Sequence, residues 1–245
     1  MFVSLVSIYK LFFKKPIYVY AKVKVGQGLW WSSTQKPPIW FLDVLKKGNE
    51  ELDLFGDTKV KVLSVRYYPW YNTSQYDIYL TLKLRVNGNK QTRVFNFNRS
   101  TLGVGSPIDL TFSNTEISGT VTKLSSKSLN DQYIEKTINL KKKWAFPWEY
   151  DAIQIGDSYF DGENTVFQII DKKETSSFDS YSSAGNNYPI EAEPKKNITI
   201  RAKIKVQQKS NRLVFGEEQI INPGRAFSIS LSNFTLQDYV IGAIE

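Results

Sequence analysis

The chain of 245 residues contains no cysteine and no histidine. Without cysteine it has no disulfide, no thiol nucleophile and no thiolate metal site. Without histidine it lacks the usual general base, the usual pH switch and the commonest transition-metal ligand. These absences exclude Ser-His-Asp and Cys-His catalysis. We therefore expect a protein that is not an enzyme and that carries no metal or other cofactor.

An apolar stretch opens the chain but is short for a membrane span. It covers Met1 to Phe13, 13 residues, contains Lys10 and ends at Lys14-Lys15-Pro16, whereas a spanning helix needs about 20 apolar residues. We interpret residues 1–16 as a membrane anchor, either short, with Lys10 snorkelling to the interface, or truncated. An ordinary buried segment is the alternative. If the run is complete, the basic residues after it favour a cytoplasmic C-terminal part. We nevertheless expect an extracytoplasmic protein, and the orientation stays open.

Aromatic residues and positive charge are both abundant. Aromatics make up 14% of the chain, and large rings favour pleated, half-buried strands. The formal net charge of +8 suits an anionic partner, such as a lipid surface, an envelope polymer or nucleic acid. The lysines are scattered and fall mostly at the ends of predicted elements, where solvation alone explains them. Nucleic acid is therefore the least expected of these partners.

The second half of the chain repeats the first. Gly105 to Asn114 and Gly224 to Asn233 share a pattern at an offset of 119 residues (224 − 105 = 119), whereas Asp43 to Gly48 and Asp151 to Gly156 lie 108 apart (151 − 43 = 108). The second copy therefore carries an insertion of 11 residues, which we place within the Ser-, Asn- and Pro-rich residues 176–196. A constant offset on each side of one insertion indicates an internal duplication.

Alternating apolar and polar residues predict strands throughout both copies. Clear examples are Ile17–Val25, Asp77–Val86 and Ile198–Val206, and a helix is predicted over Ile39–Lys47. We predict a loop or bulge from Tyr67 to Asn72, because proline cannot join a central ladder, and a tight hairpin turn at Asn87-Gly88. The fold class is therefore all-β, with two tandem small β-barrel or sandwich-like domains over residues 17–126 and 127–245.

Several of these motifs together carry a family resemblance. They are the run Asp151 to Asp157 followed by Val166 to Asp171, the strand Tyr79 to Val86, and Leu102 to Leu110 followed by Ile117 to Val121. The chain resembles the uncharacterised prokaryotic domain-of-unknown-function family 4330. The resemblance implies a bacterial or archaeal protein with a short N-terminal membrane helix and a β domain, here in two copies. It implies no activity.

Aromatic loops are the candidate contact sites. Trp30-Trp31 and Trp144 to Trp148 occupy corresponding loops of the two copies. They either contact sugars or lipid headgroups or plug the end of each barrel, and we favour the plug. The run Tyr67, Tyr68, Trp70 and Tyr71 occurs in the first copy alone, and we predict that it forms an exposed ligand-binding patch.

The acidic residues give no metal site. Asp157, Asp161 and Glu163 lie close together, but they lack the spacing of a calcium loop, so we expect a solvated turn there. Paired carboxylates for glycoside hydrolysis need only converge in space, and nothing in the sequence singles out a pair.

These observations favour a membrane-anchored protein of the cell envelope without enzymatic activity. Such a protein acts as an assembly, adaptor or binding module, and its partner is another protein or an anionic envelope polymer. Two alternatives stay open. One is a soluble β-barrel protein that binds a polyanion or polysaccharide through aromatic and basic loops. The other is a hydrolase that uses carboxylates alone.

Overall fold

The computed structural model describes residues 16–26, 36–70, 75–89, 91–176 and 195–245. Strands make up 64% of the described residues and helices 5%, which confirms the all-β prediction. The chain divides into two compact units. The first unit comprises the described parts of residues 1–66 and 77–130, and the second comprises those of residues 67–76 and 131–245.

The first copy of the repeat forms an eight-stranded sheet and one short helix, α1 (Phe41–Val44). Its strands are β1 (Ile17–Val25), β2 (Glu50–Leu52), β3 (Thr58–Pro69), β4 (Tyr76–Asn89), β5 (Val94–Phe97), β6 (Ser100–Leu102), β7 (Pro107–Phe112) and β8 (Thr115–Ser125). The sheet order is β2-β3-β4-β1-β8-β7, and β5 pairs with both β4 and β6. Its neighbouring strands pair antiparallel, as in β1–β4 and β7–β8.

The second copy forms a second eight-stranded sheet and a helix, α2 (Pro147–Ala152). Its strands are β9 (Ile134–Ala145), β10 (Ser158–Phe160), β11 (Thr165–Ser176), β12 (Lys196–Lys209), β13 (Arg212–Phe215), β14 (Gln219–Ile221), β15 (Ala226–Ser230) and β16 (Thr235–Ile244). The order β10-β11-β12-β9-β16-β15, with β13 pairing β12 and β14, repeats the first sheet strand for strand. Each sheet forms a barrel or half-barrel, so the prediction of two similar β domains is confirmed.

Alternation builds the core of each unit. In the first, Val19, Ala21 and Val23 of β1 are fully buried and lie opposite Leu84, Leu82 and Leu80 of β4. Burial of one such aliphatic side chain contributes about 1.5–3 kcal/mol. The Glu51 carboxylate of β2 accepts a hydrogen bond from the Thr111 N–H of β7 (3.2 Å). This side-chain contact joins the two edge strands of the first sheet.

Two predicted turns differ from the structure. Tyr67 and Tyr68 continue β3 rather than forming a loop, and Pro69 is its last residue, where a missing N–H is tolerated. The Asn87-Gly88 pair is not the hairpin turn, because Gly88 pairs with Phe95 inside the β4–β5 ladder. A Cβ at Gly88 would lie 2.2 Å from the Val94 carbonyl oxygen, so this glycine permits close backbone approach instead.

The predicted N-terminal anchor lies, apart from Pro16, outside the described residues. Within the described ranges, no helix combines the length and apolar character needed to cross a membrane. The predicted helix Ile39–Lys47 is confirmed in shorter form as α1. The insertion of the second copy falls between Ser176 and Lys196, which pair with each other where β11 and β12 begin to run together.

Candidate binding surfaces

The predicted patch around Tyr68 is partly buried. Tyr68 is 7% exposed, and its hydroxyl donates a hydrogen bond to Asp161 Oδ2 (2.9 Å). Its ring packs edge-on against Phe215 with the ring centroids 6.0 Å apart. The prediction of an exposed patch is therefore wrong for Tyr68, because this side chain belongs to the core of the second unit.

Neighbouring residues hold the same tip of β3 in the second unit. The Tyr67 N–H donates to the Asp161 carbonyl oxygen (2.9 Å), and the Tyr159 hydroxyl donates to the Tyr67 carbonyl oxygen (2.9 Å). Burial, with smaller contributions from nearby tyrosines and Asp161, raises the pKa of Tyr159 well above its ordinary value. The neutral hydroxyl that donates to Tyr67 is therefore the stable form.

The other residues of the predicted patch are Tyr67, Trp70 and Tyr71, and Trp30 and Trp31 are further predicted ligand-binding residues. Tyr67 is half-buried and Trp70 is exposed. Tyr71, Trp30 and Trp31 lie outside the described residues. A ligand-binding role for these residues stays a prediction.

Asp161 is not part of a solvated turn. It is completely buried, and its Oδ1 accepts the backbone N–H groups of Glu163 (2.9 Å) and Asn164 (2.8 Å). Its Oδ2 accepts the Tyr68 hydroxyl. The carboxylate therefore shapes the β10–β11 turn and fixes Tyr68, because both of its oxygens are used inside the fold.

Trp144 lies at a bulge that turns its side chain outward. Lys142 pairs with Ile198 and Ala145 with Lys196, so two residues of β9 stand opposite Asn197 alone. The Trp144 φ angle is +54°, in the left-handed region that a bulky residue rarely occupies. Its N–H donates to Asn197 Oδ1 (3.4 Å). Bulges of this kind re-aim side chains and are common next to functional sites.

Three exposed aromatic side chains lie in and just after this bulge, and the half-buried Lys195 lies beside them. We call Trp144, Phe146, Trp148 and Lys195 the aromatic surface of the second unit. Trp144 and Trp148 are 60% and 58% exposed, so the favoured prediction that these tryptophans plug the barrel is wrong. Phe146 and Trp148 stack with centroids 6.2 Å apart, and the Lys195 ammonium lies over the Phe146 ring.

Helix α2 carries Trp148 and is held at both ends by polar contacts. The Glu149 carboxylate, which is buried, accepts the Phe146 N–H (3.0 Å) and pairs with the Lys142 ammonium. At the other end of the helix, Lys172 Nζ donates to the carbonyl oxygens of Tyr150 (2.9 Å) and Ile153 (2.6 Å). Pro147 at the first helical position presets the backbone. The exposed Trp148 therefore stands on a rigid support.

Sequence reasoning missed the counterpart of Trp148 in the first unit. Trp40 precedes α1 and is 55% exposed, and its ring stacks on Phe41 with centroids 4.3 Å apart. The interval from Trp40 to Trp148 is 108 residues (148 − 40 = 108), the offset that relates Asp43 to Asp151. Extending that offset by three residues toward the N-terminus would have found it.

The described residues bury several carboxylates, among them those of Glu51, Glu149 and Asp161. Each of these three is engaged by an ammonium, a hydroxyl or backbone N–H groups. Within the same ranges no group of three or more acidic side chains is placed to hold a metal ion. The hydrolase alternative stays a prediction.

Comparison of the chain with known protein families, with curated proteins and with solved structures found no match. The resemblance to domain-of-unknown-function family 4330 stays a prediction from the motifs.

Proposed function

We propose that the protein is a membrane-anchored, non-enzymatic binding module of the cell envelope, and that its partner is an anionic envelope polymer. The observation that carries the proposal is the aromatic surface of the second unit. There a bulge turns Trp144 outward at a φ of +54°, and the exposed Trp148 stacks on Phe146, over which the Lys195 ammonium lies. Backbone strain of about 1–3 kcal/mol persists where the surrounding structure enforces it, and such strain is concentrated at functional sites.

The chemistry of the surface suits a chain of charged sugars. Exposed tryptophan rings offer flat apolar faces, and the Lys195 ammonium beside Phe146 supplies a positive charge. The net charge of +8 attracts a polyanion over longer range, to a degree that falls with ionic strength. Because the first unit exposes Trp40 at the equivalent place, one polymer has two contact points per chain, which increases avidity if it reaches both.

Calorimetric titration of the protein with heparin, a soluble anionic polysaccharide, tests the proposal. We expect binding that weakens as salt is raised, and Trp148→Ala to weaken it at least about tenfold because exposed aromatic anchors dominate binding surfaces. Trp40→Ala should also weaken it. Phe160→Ala, which removes another exposed aromatic of the second unit, is the matched control and should change the affinity less than about twofold.

Neutral dextran, titrated in parallel, distinguishes charge from sugar recognition. The proposal requires that dextran binds much more weakly than heparin. Equal binding of the two polymers would contradict an anionic ligand. Trp148→Ala and the wild type could bind heparin equally, with affinities that fall as salt is raised. That result would show non-specific charge attraction and would contradict the proposed role of the aromatic surface.

The anchor is tested separately by membrane fractionation. We expect the full chain to sediment with membranes and to resist extraction by high salt, whereas a chain that starts at Ile17 should stay in the supernatant. If both chains stay in the supernatant, residues 1–16 are not an anchor. The soluble, polymer-binding alternative then replaces the anchored one.

A further inference from the structure

Two turns of the first unit expose large apolar side chains. Leu54 is fully exposed and Phe55 is 91% exposed in the turn between β2 and β3, and Val104 is 69% exposed in the turn between β6 and β7. We call Leu54, Phe55 and Val104 the apolar end of the first unit. Large apolar side chains grouped on a surface mark interaction sites, and the aromatic surface used in the proposed function does not include these three.

Strand direction places the two turns at one end of the first sheet. Neighbouring strands run antiparallel in the order β2-β3-β4-β1-β8-β7, so β2 ends where β1, β3 and β7 begin. The Thr111 N–H of β7 donates to the Glu51 carboxylate of β2 (3.2 Å), so the first and last strands of this order lie side by side. The β2–β3 turn, the β6–β7 turn and the start of β1 at Ile17 therefore share this end.

The sequence that leads into this end is apolar. The stretch from Met1 to Phe13 precedes β1, and Lys14, Lys15 and Pro16 alone separate Phe13 from Ile17. A chain rises at most about 3.5 Å per residue, so β1 begins within about 14 Å of Phe13. If the apolar stretch lies in a bilayer, as the proposed function requires, this end of the first unit is therefore close to the lipid surface.

The second unit differs in both respects. The offsets place Gly162 and Glu163 at the positions of Leu54 and Phe55 (54 + 108 = 162), and Pro223 at the position of Val104 (104 + 119 = 223). The residues before β9, from 125 to 131, read SSKSLND and are small or polar. Large apolar turn residues thus occur in the copy that follows an apolar segment, whereas the copy that follows a polar segment has glycine, glutamate and proline.

We propose that the apolar end of the first unit lies on a lipid bilayer and inserts Leu54 and Phe55 among the headgroups. This inference rests on the membrane anchor of the proposed function. Apolar area buried in the interface supplies the attraction, and it is supported by positive charge when the lipids are anionic. Two exposed basic residues lie at the same end, because Arg93 follows β4 and Lys127 follows β8.

Hydrogen bonds hold the β2–β3 turn in a shape that presents its apolar side chains. Asp53 Oδ1 accepts the N–H groups of Phe55 (2.9 Å) and Asp57 (3.0 Å). The Arg85 guanidinium pairs with the carboxylates of both Asp53 and Asp57, which lowers their repulsion of anionic lipid. The turn therefore enters the interface without a change of backbone conformation.

A single fluorescent label on the full chain tests the inference. Because the chain has no cysteine, Leu54→Cys can carry the environment-sensitive dye nitrobenzoxadiazole at one position. On vesicles of phosphatidylcholine and phosphatidylglycerol we expect its emission to move to shorter wavelength and to rise at least about twofold, as the dye leaves water. Asn114→Cys is the matched control, because it lies in the exposed β7–β8 turn at the opposite end of the sheet. Its emission should not change.

A second substitution tests the apolar side chains themselves. Phe55→Asp in the labelled Leu54→Cys chain should abolish the emission change, because a carboxylate is costly to bury in the interface. Circular dichroism should show an unchanged fold, since Phe55 is exposed. Val104→Asp should reduce the emission change by a smaller amount. Flotation of the same samples with the vesicles reports separately whether the chain is bound.

Flotation separates the failure of this inference from the failure of the anchor. A chain that floats while its Leu54 label emits as it does in water would overturn the inference, leave the anchor standing and point to a protein partner for the apolar end. A label already shielded from iodide before vesicles are added would overturn it too, because another part of the chain would then cover the turn. A chain that does not float would contradict both the anchor and the inference.

Discussion

The two units have the same strand order but differ at one edge. In the second unit, the space beside β10 and β13 is filled by Tyr68, which contacts Tyr159 and Phe215. In the first unit, the equivalent space beside β2 and β5 is filled from within, because Lys59 pairs with Glu51 and lies over the Phe97 ring. The duplication therefore preserved the strand order of the sheet. The edge is filled by the end of a hairpin in the second unit and by an ion pair in the first.

The largest expected effect comes from emptying the edge of the second unit. Tyr68→Ala should lower the free energy of unfolding by about 3–5 kcal/mol, since it removes a buried ring and leaves the buried Asp161 without its hydroxyl donor. Urea denaturation followed by circular dichroism measures the loss. Tyr68→Phe, which retains the ring, should cost about 1–3 kcal/mol. A loss under 1 kcal/mol for the alanine variant would show that the hairpin tip does not belong to this core.

A smaller effect is expected at the matching edge of the first unit. Glu51→Ala should cost about 1–3 kcal/mol, because Lys59 and the Thr111 N–H both lose their acceptor. The double change Glu51→Gln with Lys59→Met should recover part of this loss, since it leaves no unpaired charge and retains an acceptor for Thr111. If the double variant is less stable than Glu51→Ala, the ion pair contributes more than its partial burial suggests.

The smallest effect has the opposite sign. Trp144→Gly should leave stability unchanged or raise it by about 1 kcal/mol, because glycine adopts a positive φ without strain and the exposed ring packs little. The same variant should weaken heparin binding. Ser210→Gly, at another positive φ of the second unit, is the control, with a similar stability change and unaltered binding. A marked loss of stability in Trp144→Gly would assign the tryptophan a structural role.

Most of the strands and the internal duplication can be predicted from local sequence patterns. Alternation predicts strands such as Ile17–Val25, which the structure reproduces to the residue, and the offsets of 119 and 108 residues predict the duplication. Those signals are local or periodic. Each strand's inward face is decided by its own sequence, so the cores of both units could be anticipated without knowledge of tertiary contacts.

The binding surfaces depend on contacts that the sequence does not display. Tyr68 reads as an exposed aromatic next to a proline, but its partner Asp161 lies 93 residues away, and no periodicity links the two. Trp144 reads as a barrel plug until the bulge opposite Asn197 turns it outward. The exposed Trp40 could have been predicted from the sequence, because the same 108-residue offset relates it to Trp148.

Hydrogen exchange of the full chain, read by mass spectrometry, tests the difference between the two edges most directly. The amides of Tyr67, Tyr68 and Trp70 should exchange together with the second unit, although Tyr67 and Tyr68 continue β3 of the first copy. In Phe215→Ala, which weakens the second unit beside Tyr68, we predict faster exchange for residues 67–70 and unchanged exchange for residues 58–65 of β3. If residues 67–70 retain the exchange rate of the rest of β3 in that variant, the tip is held by the first sheet alone and the account is contradicted.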